Sequence, residues 1–144
     1  MASESEAVRG EVRVRVRYPE TDRMGVAWHG HYLAWFEMGR TELMRDAGLA
    51  YGVLEDERAI YFPVVAVDVR YLASARYDEI LTVETRVESV SRVRVRFAYR
   101  LRRESDPELL ATGHTVHASV GGTGRPTRMP EDVRQKLERW HQLD

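Results

Sequence analysis

Residues Tyr18 to Tyr32 read YPETDRMGVAWHGHY and join two segments of different periodicity. Before the stretch, Val12, Val14 and Val16 alternate with Arg13, Arg15 and Arg17, which predicts a strand with one face buried, ended by Pro19. After it, from about Gly30 to Ala47, Tyr32, Trp35, Phe36, Met38, Leu43, Met44 and Ala47 recur at three- and four-residue intervals. Glu37, Arg40, Glu42 and Arg45 are interleaved. That spacing predicts a helix so apolar at its start that it must be largely buried, with Gly48 as its stop. Between the two lies a glycine-containing loop carrying the carboxylate of Asp22. A loop held between rigid elements aims a side chain into a cleft. The first turn of the following helix offers unpaired backbone N–H groups suited to polarising a carbonyl.

Beyond a connector running to about Phe62, four runs read as strands: Pro63 to Leu72, Glu79 to Ser89, Val93 to Arg103 and Leu109 to Val120. Their separators are short enough for antiparallel connections, most tightly near Ser91. Gly121, Gly122 and Gly124 end the last strand. A short helix is expected from about Pro130 to His141, with Pro130 in its first turn and Glu131 and Asp132 at its positive end. One strand, one buried helix and four strands make an α+β pattern in which a single antiparallel sheet covers a helix. Residues 1–10, small and acidic without apolar periodicity, read as a flexible leader. Residues 11–144 read as one domain, since 144 residues suit a single core.

Composition narrows the function classes. The chain is 43% hydrophobic with a formal net charge of −1, a balance that gives no electrostatic case for nucleic acid. There is no apolar run long enough for membrane insertion and no signal-peptide core in MASESEAVRG, so the expected location is cytoplasmic. The absence of cysteine excludes disulfides, a thiol nucleophile and a zinc-thiolate centre. Lys136 is the sole lysine; every other basic residue is arginine.

The Tyr18–Tyr32 stretch resembles the signature of the 4-hydroxybenzoyl-CoA thioesterase branch of the hotdog-fold superfamily. That signature is Tyr/Phe-x-Asp/Glu-x-Asp, then Gly, small or apolar residues, an aromatic or His, and a Tyr on the central helix. Here the positions are Tyr18, Glu20, Asp22, Gly25, Val26, Trp28, His29 and Tyr32. A second region, FPVVAVDVRYLASARYDEILTVETRVESVSRVRVRF, carries the two strands and the aromatic-x-Asp/Gly-Asp/Glu turn found in relatives, so the resemblance covers roughly residues 11 to 120. It implies a hotdog fold: a five-stranded antiparallel sheet wrapped around one long central helix, plus a short C-terminal helix. It also implies an acyl-CoA thioesterase that self-associates to a homodimer or homotetramer with its site between subunits, and that needs no cofactor, coenzyme A being part of the substrate. By the same resemblance Asp22 acts as nucleophile or general base, and Gly25, Val26, Trp28 and Tyr32 fall in the substrate site.

Thioester hydrolysis needs a carboxylate or an activated water to attack, donors aimed at the developing oxyanion, and room for acyl and pantetheine chains. Asp22 is the candidate for the first role and the backbone N–H at about His29 for the second, where the helix dipole adds favourable field. Each residue has a plainer reading. An Asp before a helix is often a turn former, and Glu20 suits a surface or hydrogen-bonding role. The His29 ring orients substrate or merely packs. Glu37 is the competing carboxylate, because another branch of the superfamily takes its catalytic acid from the central helix; its plainer reading is an ion pair with Arg40. Trp28, Tyr32 and Trp35 line an acyl pocket or belong to the core. His114 and His117, three apart on a strand, point to opposite faces and make no ready chelate, and no metal is expected. Ser91, Arg92 and Arg94 sit at a strand turn where relatives hold the nucleotide, and guanidinium suits its phosphates. The alternatives are a noncatalytic acyl-binding domain and a hotdog hydratase or dehydratase.

Overall fold

The computed structural model describes residues 10–142 apart from Pro107. Residues 1–9, most of the expected leader, lie outside it. Gly10, assigned to that leader, instead opens the first strand, and a Cβ there would stand 3.0 Å from the Cβ of Leu43. Five strands, β1 (Gly10–Arg15), β2 (Val64–Tyr71), β3 (Ile80–Val90), β4 (Arg94–Arg103) and β5 (Leu109–Ala118), form one antiparallel sheet in the order β1-β3-β4-β5-β2. The long helix α1 (His31–Asp46) lies against its concave face, as the hotdog arrangement requires. The C-terminal helix, α3 (Glu131–Gln142), packs on β3 through the buried Val133 and Leu137. The connector expected before Phe62 contains a further helix, α2 (Tyr51–Arg58). Among the described residues no helix is long and apolar enough to cross a membrane.

The alternation read from the sequence sets the faces. β3 buries Leu81, Val83, Thr85 and Val87, and β4 buries Val95, Phe97, Tyr99 and Leu101, all toward α1. The opposite face is laced by ion pairs, Glu84 with Arg100 and Arg102, and Glu88 with Arg96 and His114. Tyr32, Trp35, Phe36, Leu43 and Met44 of α1 fill the concavity. Two glycines let the layers close: a Cβ at Gly39 would stand 2.4 Å from Thr85 Oγ1, and one at Gly113 would stand 2.6 Å from Phe36 Cε2. Phe36 in turn stacks on Tyr99 at 4.6 Å between ring centres.

The two sheet edges differ. β1 is six residues long with Glu11, Arg13 and Arg15 exposed, the short charged form that resists pairing. β2 carries Val64, Val65 and Val67 exposed on the opposite edge, which invites pairing.

Candidate active site

The loop between β1 and α1 crosses one end of the sheet and is fixed along its length. Tyr18–Glu20 forms a 3-10 turn in which the buried Glu20 carboxylate accepts the Arg17 N–H at 2.7 Å. Of the two roles expected for Glu20, hydrogen bonding holds and surface exposure does not. The Glu20 carbonyl then accepts the Trp28 N–H at 2.9 Å, and the Ala75 carbonyl accepts the Ala27 N–H at 2.7 Å. These bonds pin both sides of the loop. Asp22 and Val26 are joined across its tip by an N–H···O bond of 2.9 Å, and Gly25 takes the left-handed φ of +78° that this tight reversal demands.

Asp22 stands exposed at that tip, with Oδ1 accepting the Met24 N–H at 2.8 Å. The turn-forming reading of Asp22 is thus realised, and the residue also lines a groove of about 800 Å³ together with Tyr18, Pro19, Thr21, Arg23, Gly25 and Tyr77. Val26 is half-buried and bridges to Arg76. The Trp28 ring lies over Gly30, where a Cβ would come within 2.1 Å of it, and this contact orients the start of α1.

Among the described residues the backbone N–H groups of His29 and Gly30 have no hydrogen-bond partner, whereas those of Trp28 and His31 do. The first of these is the N–H expected from the sequence as a donor at the helix entrance. The His29 carbonyl accepts the Tyr71 hydroxyl at 2.9 Å, and the His29 ring meets Tyr71 edge-on at 6.2 Å. Tyr32 is buried, its hydroxyl accepting the Ala75 N–H at 3.0 Å, and burial raises its pKa above the ordinary phenol value. His29 and Tyr32 line a hollow of about 260 Å³ with Ala27, Tyr71, Leu72, Ala73 and Ser74. Asp22 and His29 therefore sit on one loop but open into separate depressions of a single chain.

Ser91, Arg92 and Arg94 lie at the other end of the sheet. The Ser91 hydroxyl closes the β3–β4 turn, accepting the Arg94 N–H at 3.0 Å. Arg92 is exposed, and its carbonyl accepts the Met129 N–H at 2.8 Å, which draws the loop carrying the exposed Arg125 and Arg128 to its side. In an arginine-rich sequence nothing distinguished those two; only the fold groups them. Since β3 has eleven residues, this end is on the order of 30 Å from Asp22.

Glu37 is exposed and sits 3.8 Å from Arg40, the ion pair anticipated for it. Arg40 itself was not anticipated as a core residue. It is buried, with Nε donating to Tyr51 Oη at 3.1 Å and Nη1 to Tyr99 Oη at 3.2 Å; burial pushes the Tyr51 phenol up to about 12. Among the described residues no cluster of His, Asp or Glu is arranged to hold a metal ion.

The sequence profile of the thioesterase-like superfamily matches residues 16–137, which include the whole loop, α1 and strands β2 to β5. The chain belongs to the thioesterase-like superfamily. Within that superfamily it is 33% identical to the acyl-CoA thioesterase YbgC of Haemophilus influenzae, over 84% of this chain and 88% of that protein. It superposes on a hypothetical protein from Thermus thermophilus with a TM-score of 0.86 at 39% identity, covering 92% of this chain and 99% of that one. The DHNA-CoA thioesterase of Staphylococcus aureus superposes with a TM-score of 0.80 at 33% identity, covering 94% and 87%. The chain is thus a hotdog-fold enzyme of thioester hydrolysis.

Proposed function

We propose that the enzyme hydrolyses acyl-CoA thioesters to free acid and coenzyme A, with Asp22 as nucleophile or general base and the His29 backbone N–H as oxyanion donor. One observation carries the reading: a single pinned loop presents an exposed carboxylate and, seven residues on at the mouth of a buried helix, an uncommitted backbone N–H. The donor costs no reorganisation because the Trp28 N–H, Tyr71 hydroxyl and Gly30 contacts fix the backbone around it. Attack by Asp22 gives a mixed anhydride that water resolves; as a general base the same carboxylate takes a proton from water instead. In both routes the coenzyme A thiolate leaves.

The active unit in this reading is a homodimer, itself paired to a homotetramer, and the location cytoplasmic. The apolar edge of β2 supports the first pairing. β2 runs from the Arg92 end of the sheet to the Asp22 end, so joining two β2 edges about a two-fold axis exchanges the ends. The Asp22 end of one sheet then lies beside the Arg92 end of the partner subunit's sheet, whereas within one copy Asp22 and Arg92 are a sheet length apart. A coenzyme A nucleotide held by Arg92 and Arg94 of the partner subunit, and a thioester at Asp22, is the arrangement this symmetry favours. A thiol-release assay over aliphatic and aromatic acyl-CoAs, beside a crotonyl-CoA hydration assay, tests the reaction. Thiol release is expected; hydration without it would make the chain a hydratase, and neither would make it an acyl-binding domain.

A further inference from the structure

We infer that the groove of Tyr18, Pro19 and Tyr77 beside Asp22 takes the acyl chain of the substrate. This rests on the reading that Asp22 meets the thioester carbonyl. The groove, about 800 Å³, falls within the range of small-molecule sites, roughly 300–1,000 Å³, whereas the hollow at His29 and Tyr32, about 260 Å³, lies below it. Its walls are unusual for a surface. Tyr18 is 75% exposed, Tyr77 55% and, on the same loop, Met24 82%. The two tyrosine rings meet edge-on at 5.9 Å.

These rings are held ready and are not loose. Tyr18 opens the 3-10 turn capped by Glu20, and Tyr77 sits in a turn closed by the Arg76 N–H on the Glu79 carboxylate at 2.6 Å and by the Asp78 N–H on the Val16 carbonyl at 2.9 Å. The turns grow from β1 and β3, so the strands fix their spacing. The occupant follows from continuity with the active site. Asp22 and Gly25 form part of the same wall, so a chain attached to a carbonyl at Asp22 begins at the groove. In the proposed dimer the coenzyme arm leaves toward the β2 edge, on the other side of the loop, and the acyl chain is the apolar half of the substrate that remains. Aromatic and proline walls suit its methylenes, and the phenol oxygens stay in water.

The test is kcat/KM along a series from acetyl- to decanoyl-CoA for the native enzyme, Tyr77→Ala, Tyr77→Leu and Asp22→Asn. A methylene fully removed from water gains about fourfold. In a groove open on one side the expected gain is about twofold per methylene, carried mainly by KM. Tyr77→Ala should reduce that slope by half or more, and Tyr77→Leu, which restores apolar bulk, should recover most of it. Asp22→Asn should lower turnover at every length. Coincident slopes for native and Tyr77→Ala, with Asp22→Asn inactive, would overturn the groove assignment alone. An equal loss at all lengths in Tyr77→Ala would make the ring a support for the Asp22 turn, and an altered sedimentation coefficient would make it a subunit contact; either result overturns the proposal. Full activity in Asp22→Asn would remove the reading on which it rests.

Discussion

Acidification should destabilise the fold through one buried histidine, by an amount set by its surroundings. His117 is fully buried on the inner face of β5, with Nδ1 2.9 Å from the Phe62 carbonyl and Nε2 2.9 Å from Thr115 Oγ1. A carbonyl only accepts, so Nδ1 carries the proton and Nε2 accepts from the Thr115 hydroxyl. Thr115 then accepts from Tyr99 at 2.6 Å, and Tyr99 from the Arg40 guanidinium at 3.2 Å. The chain runs one way, from Arg40 to Phe62; a proton on Nε2 would turn the Thr115 hydroxyl toward Tyr99 and leave the Tyr99 proton without its acceptor, since Arg40 can only donate. Burial first, then the Arg40 charge, lower the His117 pKa from 6.5 to about 4. The unfolded chain takes up a proton below pH 6.5 that the folded state refuses until about pH 4. Stability is therefore full above pH 6.5 and is lost as pH falls through this window, by about 3 kcal/mol in all. Asp132, held at about 2 by its hydrogen bond to Arg58, loses its contribution only below its ordinary 3.8 and leaves the window clear. Urea unfolding followed by tryptophan fluorescence at fixed protein concentration measures the slope. His117→Gln should be less stable at pH 7 and much flatter between pH 6.5 and 4.5. A native curve flat over that range, or a variant with the native slope, would refute the argument.

Gly39→Ala should destabilise despite the better helix propensity of alanine, about 1 kcal/mol, because a Cβ 2.4 Å from Thr85 Oγ1 and 2.9 Å from Val83 Cγ1 forces α1 off β3 at a cost of about 1–3 kcal/mol; thermal melting reads the net sign. Val67→Glu, on the exposed edge strand, should shift sedimentation from dimer or tetramer toward monomer and lower activity with it; a fully active monomer would contradict the shared site. Arg92→Gln or Arg94→Gln should raise KM for acyl-CoA far more than it lowers kcat, with little effect on an acyl-pantetheine thioester, because a phosphate contact is made equally in ground and transition states. Equal losses on both substrates would place the coenzyme elsewhere.

The elements with clean periodicity were legible to within about two residues. The Val/Arg alternation of β1, the apolar recurrence of α1 and the runs of β2 to β5 all match the fold. The helix α2 was not, because YGVLEDER buries only Leu54 and shows no apolar face. Its stop is equally cryptic, since Ala59 takes the left-handed φ of 52° that usually signals glycine. The β2 run reads as a strand without a place in the sheet, and only the strand order reveals that its valines line an open edge. At the candidate site, a signature located the loop, but two facts needed three dimensions. A helical arginine reads as solvated, whereas Arg40 is buried by tyrosines from α2 and β4, far away in the sequence. Asp22 and Arg92, both singled out as candidates from the sequence, stand at opposite ends of one sheet, which no local pattern encodes.

Comparing kcat of Asp22→Asn with that of Glu37→Gln on the best acyl-CoA of the panel tests the central claim most directly. Asp22 lies on an exposed turn and contributes one hydrogen bond to the Met24 N–H, so the amide should fold as the native chain does. Loss of a nucleophile or general base predicts a fall of about a hundredfold or more, with a much smaller change for Glu37→Gln. An Asp22→Asn enzyme that keeps most of its turnover, or a Glu37→Gln enzyme that loses it, would contradict the account.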